Sequence, residues 1–195
     1  MSKTLEFFFD FGSPASYLAW TQLPRIAREA GAQIVWRPML LGGVFKATGN
    51  QSPVMIPSKG AWMLRDLARF ASRYGVPMAF SPNFPINTLT LMRGAAGYEN
   101  SERFEHYVKT IFEALWVQHK NLGKAEVVAE VLSKAGFDPA EFERLVSDEA
   151  VKEHLKATTE EAIKRGVFGA PTIFVGSEMH FGQDRLDFVA EALAR

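Results

Sequence analysis

A serine stands at position 13, directly after an apolar stretch and a glycine, in the sequence FFFDFGSPASYLAW (residues 7–20). Ser13 or Pro14 is predicted to open a helix, where unpaired N–H groups and the helix dipole favour an anion. The chain has no cysteine, so a thiolate held at this point must belong to a bound small molecule. Serine is also a preferred helix cap for purely structural reasons, and this second interpretation stays open here.

The hydroxyl of Ser13 could donate its proton to the sulfur of such a thiol. An unperturbed thiol has a pKa of about 8.5, and each unit of lowering requires about 1.4 kcal/mol of preferential stabilisation of the thiolate. One charge-assisted hydrogen bond of roughly 1.5 to 3 kcal/mol, with up to about 1 kcal/mol from the helix dipole, is sufficient. Ser13 is therefore predicted to keep a borrowed thiol ionised near neutral pH.

The composition excludes several classes of partner. The chain has 195 residues, and its 22 lysines and arginines balance 22 aspartates and glutamates. Such a balance gives no electrostatic footprint for nucleic acid or an anionic membrane, so a small-molecule partner is expected. The start of the chain lacks the features of a signal peptide, and no segment has the roughly 18 uninterrupted apolar residues of a membrane span, which predicts a cytoplasmic protein. The four histidines show no ligand spacing, so no metal site is expected.

Two strand-rich segments must position Ser13. Leu5–Phe11 is predicted to be a buried strand, followed by a helix that ends at Gly31 and a second strand at Gln33–Arg37. The end of the chain predicts strands at Thr172–Val175 and Met179–Phe181 and a final helix from Asp184. Short strands at both ends must share one sheet, because neither piece can bury both of its faces alone.

The middle of the chain is helical and is punctuated by glycine and proline. The predicted helices are Ser58–Tyr74, Thr88–Tyr98, Glu102–His119, Lys124–Ala135, a helix capped by Asp138, and Glu149–Arg165. The order βαβ, helical block, ββα predicts an α/β thioredoxin-like fold with a large helical insertion. We expect a thioredoxin-like domain of residues 1–45 and 146–195, and an insertion domain of residues 46–145.

The stretch FDFGSPASYLAW resembles the opening of the 2-hydroxychromene-2-carboxylate isomerases and of the related kappa-class glutathione transferases, which share a DsbA-like fold. Further matches follow in the same order at GNQSPVMIPSKGAWMLRDLARFA, FPINTLTLMRGA, GVFGAPTIFV and FGQDRLDFV, so the resemblance covers nearly the whole chain. The segments NTLTLMRGA and GVFGAPT look more like the isomerase branch than the transferase branch.

This resemblance implies that glutathione is a cofactor whose sulfur lies at Ser13. Its backbone would pair with Ala170, before a cis Pro171, although Pro171 could also simply begin an edge strand. Gln183 and Asp184, at the start of the last helix, would bind the γ-glutamyl end of glutathione, and Asp184 would pair with its ammonium group. The remaining matched positions of the glutathione site are Asn50, Lys59, which would pair with a ligand carboxylate, Asp66 and Arg185. Taken without the resemblance, Lys59 and Asp66 are solvated charges on one helix face.

The resemblance also implies the chemistry. A glutathione thiolate would add to the conjugated alkene of the ring-opened substrate, permit rotation, and leave again, which yields trans-o-hydroxybenzylidenepyruvate without consuming glutathione. An aromatic 2-oxo acid requires aromatic walls and a cation or amide for its carboxylate. The candidates for the walls are Phe11, Tyr17, Trp62 and Phe84, and those for the carboxylate are Asn87 and Arg93.

Two other functions fit the same residues. A kappa-like glutathione transferase would use the same thiolate but would consume glutathione by conjugating it to electrophiles. A non-catalytic module would use the edge at Ala170 and Pro171 to hold a peptide or partner protein. The family resemblance also implies a homodimer.

Overall fold

Segments from the two ends of the chain build one mixed sheet in the computed structural model, which describes residues 3–195. The four strands are β1 (Lys3–Phe9), β2 (Ala32–Pro38), β3 (Thr172–Val175) and β4 (Glu178–Phe181). Their order is β2-β1-β3-β4, with β1 parallel to β2 and antiparallel to β3, and β3 antiparallel to β4. The predicted thioredoxin-like fold, with one sheet shared by both ends of the chain, is confirmed.

The helices follow the predicted order, with small changes at their ends. They are α1 (Pro14–Ala30), α2 (Leu41–Thr48), α3 (Pro57–Tyr74), α4 (Leu89–Tyr98), α5 (Phe104–Trp116), α6 (Ala125–Lys134), α7 (Pro139–Ser147), α8 (Glu149–Lys164) and α9 (Leu186–Ala194). A short 3-10 helix at Pro53–Met55 and helix α2 have no separate sequence prediction. The division of the chain into two domains stays a prediction.

Helix α1 begins and ends as its sequence predicts. Ser13 caps it, Pro14 occupies the first helical position, and Gly31 ends it in a left-handed conformation with φ +63°. Strand β1, by contrast, ends at Phe9 and not at Phe11. The reason is a turn in which the Asp10 carboxylate accepts the Gly12 N–H at 2.8 Å and the Asp10 carbonyl accepts the Ser13 N–H at 3.0 Å.

Three consecutive phenylalanines of β1 are buried because the sheet carries helices on both faces. Phe7 and Phe9 belong to the larger core, which also contains residues of α1, α5 and α9. Phe8 points to the opposite face and packs in a smaller cluster with Val44 of α2 and Ala162 of α8. Side chains alternate between the faces of a strand, so an uninterrupted apolar run is the pattern of a sheet covered on both sides.

Alkaline titration offers a test of the packing around the tyrosines. Burial is the first cause that raises the pKa of all four, and it raises that of Tyr17 to about 12. A tyrosine whose pKa is higher in the folded than in the unfolded state contributes stability below pH of about 10, and loses it as the pH rises further. We therefore expect the phenolate absorbance to rise together with the loss of circular dichroism. A tyrosine that ionises near its ordinary pKa while the chain stays folded would contradict this.

Candidate active site

A cleft of about 400 Å³ opens at the start of α1, between the thioredoxin-like sheet and the helical insertion. It is lined by residues from seven parts of the chain. These are Gly12–Ala15, Leu41 and Phe45 of α2, residues 50–53, Trp62–Leu67 of α3 on its inward side, Phe84, and the two segments 168–170 and 181–185. Nine of the predicted site residues line it, namely Ser13, Asn50, Trp62, Asp66, Phe84, Ala170, Gln183, Asp184 and Arg185.

Ser13 lies at the inner wall of this cleft and is only 4% exposed. Its Oγ accepts the N–H of Ser16 at 3.1 Å, which caps α1, and donates its own proton to the carbonyl of Ala170 at 2.8 Å. Capping α1 uses a lone pair of the Ser13 oxygen, whereas donation to a ligand would use its proton. One hydroxyl can therefore serve both roles. An incoming sulfur would compete with a neutral hydrogen bond that is worth only about 0.5 to 1.5 kcal/mol.

The segment opposite Ser13 contains a cis peptide bond between Ala170 and Pro171. Ala170 is half-buried and lines the cleft, whereas Pro171 is buried and directly precedes β3. The carbonyl of Pro171 accepts the N–H of Gly182 at 3.0 Å, which joins this segment to the turn after β4. The two backbone segments that flank Ser13 are thus held to each other.

Asn50 lies on the rim of the cleft and connects two loops. Its Nδ2 donates to the carbonyl of Phe168 at 2.8 Å, and its Oδ1 accepts the N–H of Gln51 at 2.8 Å. Phe168 stands two residues before Ala170, so this bridge shapes the wall that faces Ser13. Asn50 therefore both lines the cleft and holds the loop that forms its wall.

Gln183 and Asp184 lie in a turn before the last helix and not in its first turn. That helix, α9, begins at Leu186, so its predicted start at Asp184 is two residues too early. The carbonyl of Gln183 accepts the hydroxyl of Tyr74 at 2.5 Å. Gly182 has φ +97°, and a Cβ there would lie 2.4 Å from the Asp184 carboxylate, so only glycine permits this turn.

Charged side chains surround this turn and the inner face of α3. Arg185 donates to the carboxylate of Asp184 at 2.7 Å, and both side chains are well exposed. Asp66 lines the cleft and lies 3.6 Å from Arg69, whereas Lys59 lies in an adjoining groove beside Trp62. Exposed pairs of this kind contribute about 0 to 1 kcal/mol, so a charged ligand can replace either partner.

The structure places four of the predicted substrate residues away from the cleft. Phe11 is fully buried in the core, where its carbonyl accepts the indole N–H of Trp116 at 2.9 Å, because the chain turns inward after β1. Tyr17 is also buried, and its hydroxyl donates to the carbonyl of Pro77 at 2.7 Å. Asn87 accepts the N–H of Leu89 and lies in a separate groove beside α6 and α7, and Arg93 lies on α4 outside the cleft.

Sequence reasoning missed three residues of this region. Phe168 and Phe181 line the cleft with ring centroids 4.6 Å apart, and Asp10 lies buried beneath the Ser13 turn. Burial raises the pKa of Asp10, although hydrogen bonds from Gly12, Leu41 and Thr88 oppose this shift. An acid placed directly at the end of an apolar strand is the signal that could have identified Asp10.

Among residues 3–195, no helix is both long and apolar enough to cross a bilayer. No three side chains of the metal-binding types converge on a common point in the same part of the chain.

The chain is similar to known proteins over nearly its whole length. Residues 4–194 match the family model of the DSBA-like thioredoxin domain. The chain is 34% identical over 193 residues to a 2-hydroxychromene-2-carboxylate isomerase of Pseudomonas putida, covering 98% of this chain and 94% of the relative. It is 31% identical over 205 residues to glutathione S-transferase kappa 1 of Rattus norvegicus, with coverages of 98% and 91%. A solved structure of a 2-hydroxychromene-2-carboxylate isomerase superposes with a TM-score of 0.88 at 35% identity, covering 98% and 95% of the two chains.

Proposed function

This chain belongs to the DSBA-like thioredoxin family, and we propose that it is a glutathione-dependent isomerase that converts 2-hydroxychromene-2-carboxylate to trans-o-hydroxybenzylidenepyruvate. The observation that carries the proposal is the Ser13 hydroxyl, set at the start of α1 inside a cleft that both aromatic and polar side chains line. The named relatives are enzymes, which argues against a purely non-catalytic binding module.

The cleft suits glutathione in size and in the distribution of its polar groups. Its volume of about 400 Å³ lies within the range of roughly 300 to 1,000 Å³ that is usual for small-molecule sites. Asp184 would bind the ammonium group at one end, and Lys59 would bind a carboxylate from the adjoining groove. The half-buried Ala170 also lines the cleft, and its backbone can pair with an extended peptide.

Ser13 would act on the ligand by redirecting its proton from the Ala170 carbonyl to a sulfur atom. Its backbone position at the start of α1 adds the favourable field of the helix N-terminus. Bound glutathione would supply a soft nucleophile that adds reversibly to a conjugated double bond and thereby permits rotation about it. Ser13 would stay hydrogen-bonded to the α1 backbone throughout, because the Ser16 N–H uses another side of its oxygen.

The aromatic side chains that line the cleft would contact the aromatic part of the substrate. Trp62 is 56% exposed there, and Phe84 of the insertion lines the same wall. Phe168 and Phe181 extend this surface from the thioredoxin-like part. Asn87 and Arg93 do not line the cleft, so Arg185, which does line it, is the candidate to bind the substrate carboxylate.

The decisive assay incubates the purified protein with 2-hydroxychromene-2-carboxylate, with and without glutathione. Product absorbance is followed, and free thiols are counted at the end. Glutathione-dependent isomerisation without loss of thiol is the expected result. Loss of one thiol per turnover would instead identify a kappa-like glutathione transferase, which the similarity to the rat enzyme keeps as the second candidate.

Asp184→Asn is expected to weaken glutathione binding about 10- to 100-fold, because a hydrogen bond to a charged group is worth about 1.5 to 3 kcal/mol. Isothermal titration calorimetry measures this change directly. Asp187→Asn is the matched control, since Asp187 is a nearby acid on α9 that does not line the cleft. Equal losses of affinity in both variants would show that Asp184 has no specific contact with the ligand.

We further propose a cytoplasmic location and a homodimer. The first agrees with a chain without cysteine that depends on reduced glutathione, which is maintained in the cytosol. The second rests on the family resemblance alone. Sedimentation velocity tests the dimer, and fractionation of cells tests the location.

A further inference from the structure

The buried carboxylate of Asp10 receives three hydrogen bonds from three separate parts of the fold. Its Oδ1 accepts the N–H of Gly12 at 2.8 Å and the hydroxyl of Thr88 at 2.7 Å. Its Oδ2 accepts the N–H of Leu41 at 2.8 Å. All three partners donate, so the ionised carboxylate is the form that satisfies them.

These contacts join the Ser13 turn to two helices of the rest of the chain. Leu41 is the first residue of α2, which has no side-chain cap of its own, so Asp10 serves as its cap. Thr88 immediately precedes α4 in the helical insertion. The carboxylate is therefore the point at which α2, α4 and the turn before α1 are held together.

The turn leaves little room for a side chain at Gly12. A Cβ there would lie 3.2 Å from Thr88 Cγ2 and 3.3 Å from Asp10 Oδ1, so either neighbour would have to shift to admit one. The carbonyl of Asp10 also accepts the N–H of Ser13 at 3.0 Å. Asp10 is thus linked to the Ser13 turn by two bonds, one from Gly12 to its side chain and one from Ser13 to its carbonyl.

We propose that Asp10 is a positioning residue, whose three hydrogen bonds hold the backbone of the Ser13 turn and so aim the Ser13 hydroxyl at a bound thiol. The inference rests on the proposed glutathione site. Asp10 does not line the cleft and touches no ligand position, so it acts only through Ser13 and Gly12. Burial raises the pKa of Asp10, and the three hydrogen bonds oppose this shift by stabilising the ionised form.

The test compares wild type with Asp10→Asn, Thr88→Val and Val131→Ala. The asparagine has a similar shape but presents an N–H₂ group to at least one donor, whereas Thr88→Val removes one of the three bonds. Val131 is a buried residue of α6, away from the cleft, and its substitution controls for a general loss of stability. Two quantities are measured: the pKa of bound glutathione from thiolate absorbance, and amide hydrogen exchange at Gly12, Ser13 and Ser16.

We expect Asp10→Asn to raise the thiol pKa by about one unit, which corresponds to about a tenfold loss of thiolate. A smaller rise is expected for Thr88→Val and none for Val131→Ala. Exchange at the three amides should accelerate in the same order. A thiol pKa that stays at the wild-type value in folded Asp10→Asn would overturn the proposal.

The two hypotheses fail in different ways. If wild type does not bind glutathione, the proposed function is wrong, and hydrogen exchange still decides whether Asp10 holds the turn. If Asp10→Asn does not fold, Thr88→Val gives the answer. Unchanged exchange at Gly12 and Ser13 in either folded variant would contradict a positioning role, whatever the activity.

Discussion

Ser13→Ala should lower kcat about 10- to 100-fold at neutral pH, because the lost hydrogen bond to a thiolate is worth about 1.5 to 3 kcal/mol. The pH at which kcat reaches half its maximum should rise by about one to two units, since one unit corresponds to about 1.4 kcal/mol. Activity should therefore recover in alkali, where the thiol ionises without help. A pH-rate profile of the isomerisation, measured with saturating glutathione, gives both numbers.

Ser16→Ala is the matched control for this prediction. Ser16 lies three residues further along, and its buried Oγ has no hydrogen-bond partner among residues 3–195. Its removal should leave the pH profile unchanged. Ser13→Ala also removes the α1 cap, at a cost of about 0.5 to 2 kcal/mol of stability, so both variants are compared at a temperature where they are fully folded. A Ser13→Ala profile that overlays the wild-type profile would refute the catalytic role.

Phe9→Ala should reduce the free energy of unfolding by about 3 to 5 kcal/mol, which is a large part of the 5 to 15 kcal/mol usual for a domain. Phe9 is fully buried at the centre of an aromatic cluster. The centroid of its ring lies 5.3 Å from the ring centroid of Phe7, 5.6 Å from that of Phe11, 5.9 Å from that of Phe112 and 6.3 Å from that of Trp36. The substitution leaves a cavity that this cluster of rigid rings cannot fill. Urea unfolding measures the loss.

Phe188→Ala provides the comparison, because it is the same substitution at a side chain that is 53% exposed. Its effect should stay within about 0.5 kcal/mol, as for most surface substitutions. Similar losses for the two variants would mean that Phe9 does not lie in the core described above. The pair therefore tests the position of β1 between its two helical layers.

The elements of this chain were predictable where the signal is local. The αL glycine after α1, the caps at Ser13 and Asp138, and the uninterrupted apolar run of β1 each depend on neighbours within a few residues. The end of β1 was predicted two residues too late, because the turn at Asp10 combines local bonds from Gly12 and Ser13 with bonds from Leu41 and Thr88, which are distant in the chain. Nothing near Asp10 in the sequence reveals the two distant partners.

The candidate site, too, was predictable only where the signal is local. The sequence by itself determined that Ser13 stands at a predicted helix start in a chain without cysteine, and that the segments that carry the family resemblance occur in order. Only the tertiary structure decided which aromatic and polar residues reach the cleft. It placed Trp62 and Phe84 there, and it left Phe11 and Tyr17 in the core. The physical reason is that a residue type and its local pattern specify an element, whereas the face that each side chain presents depends on packing between segments that are far apart in the chain.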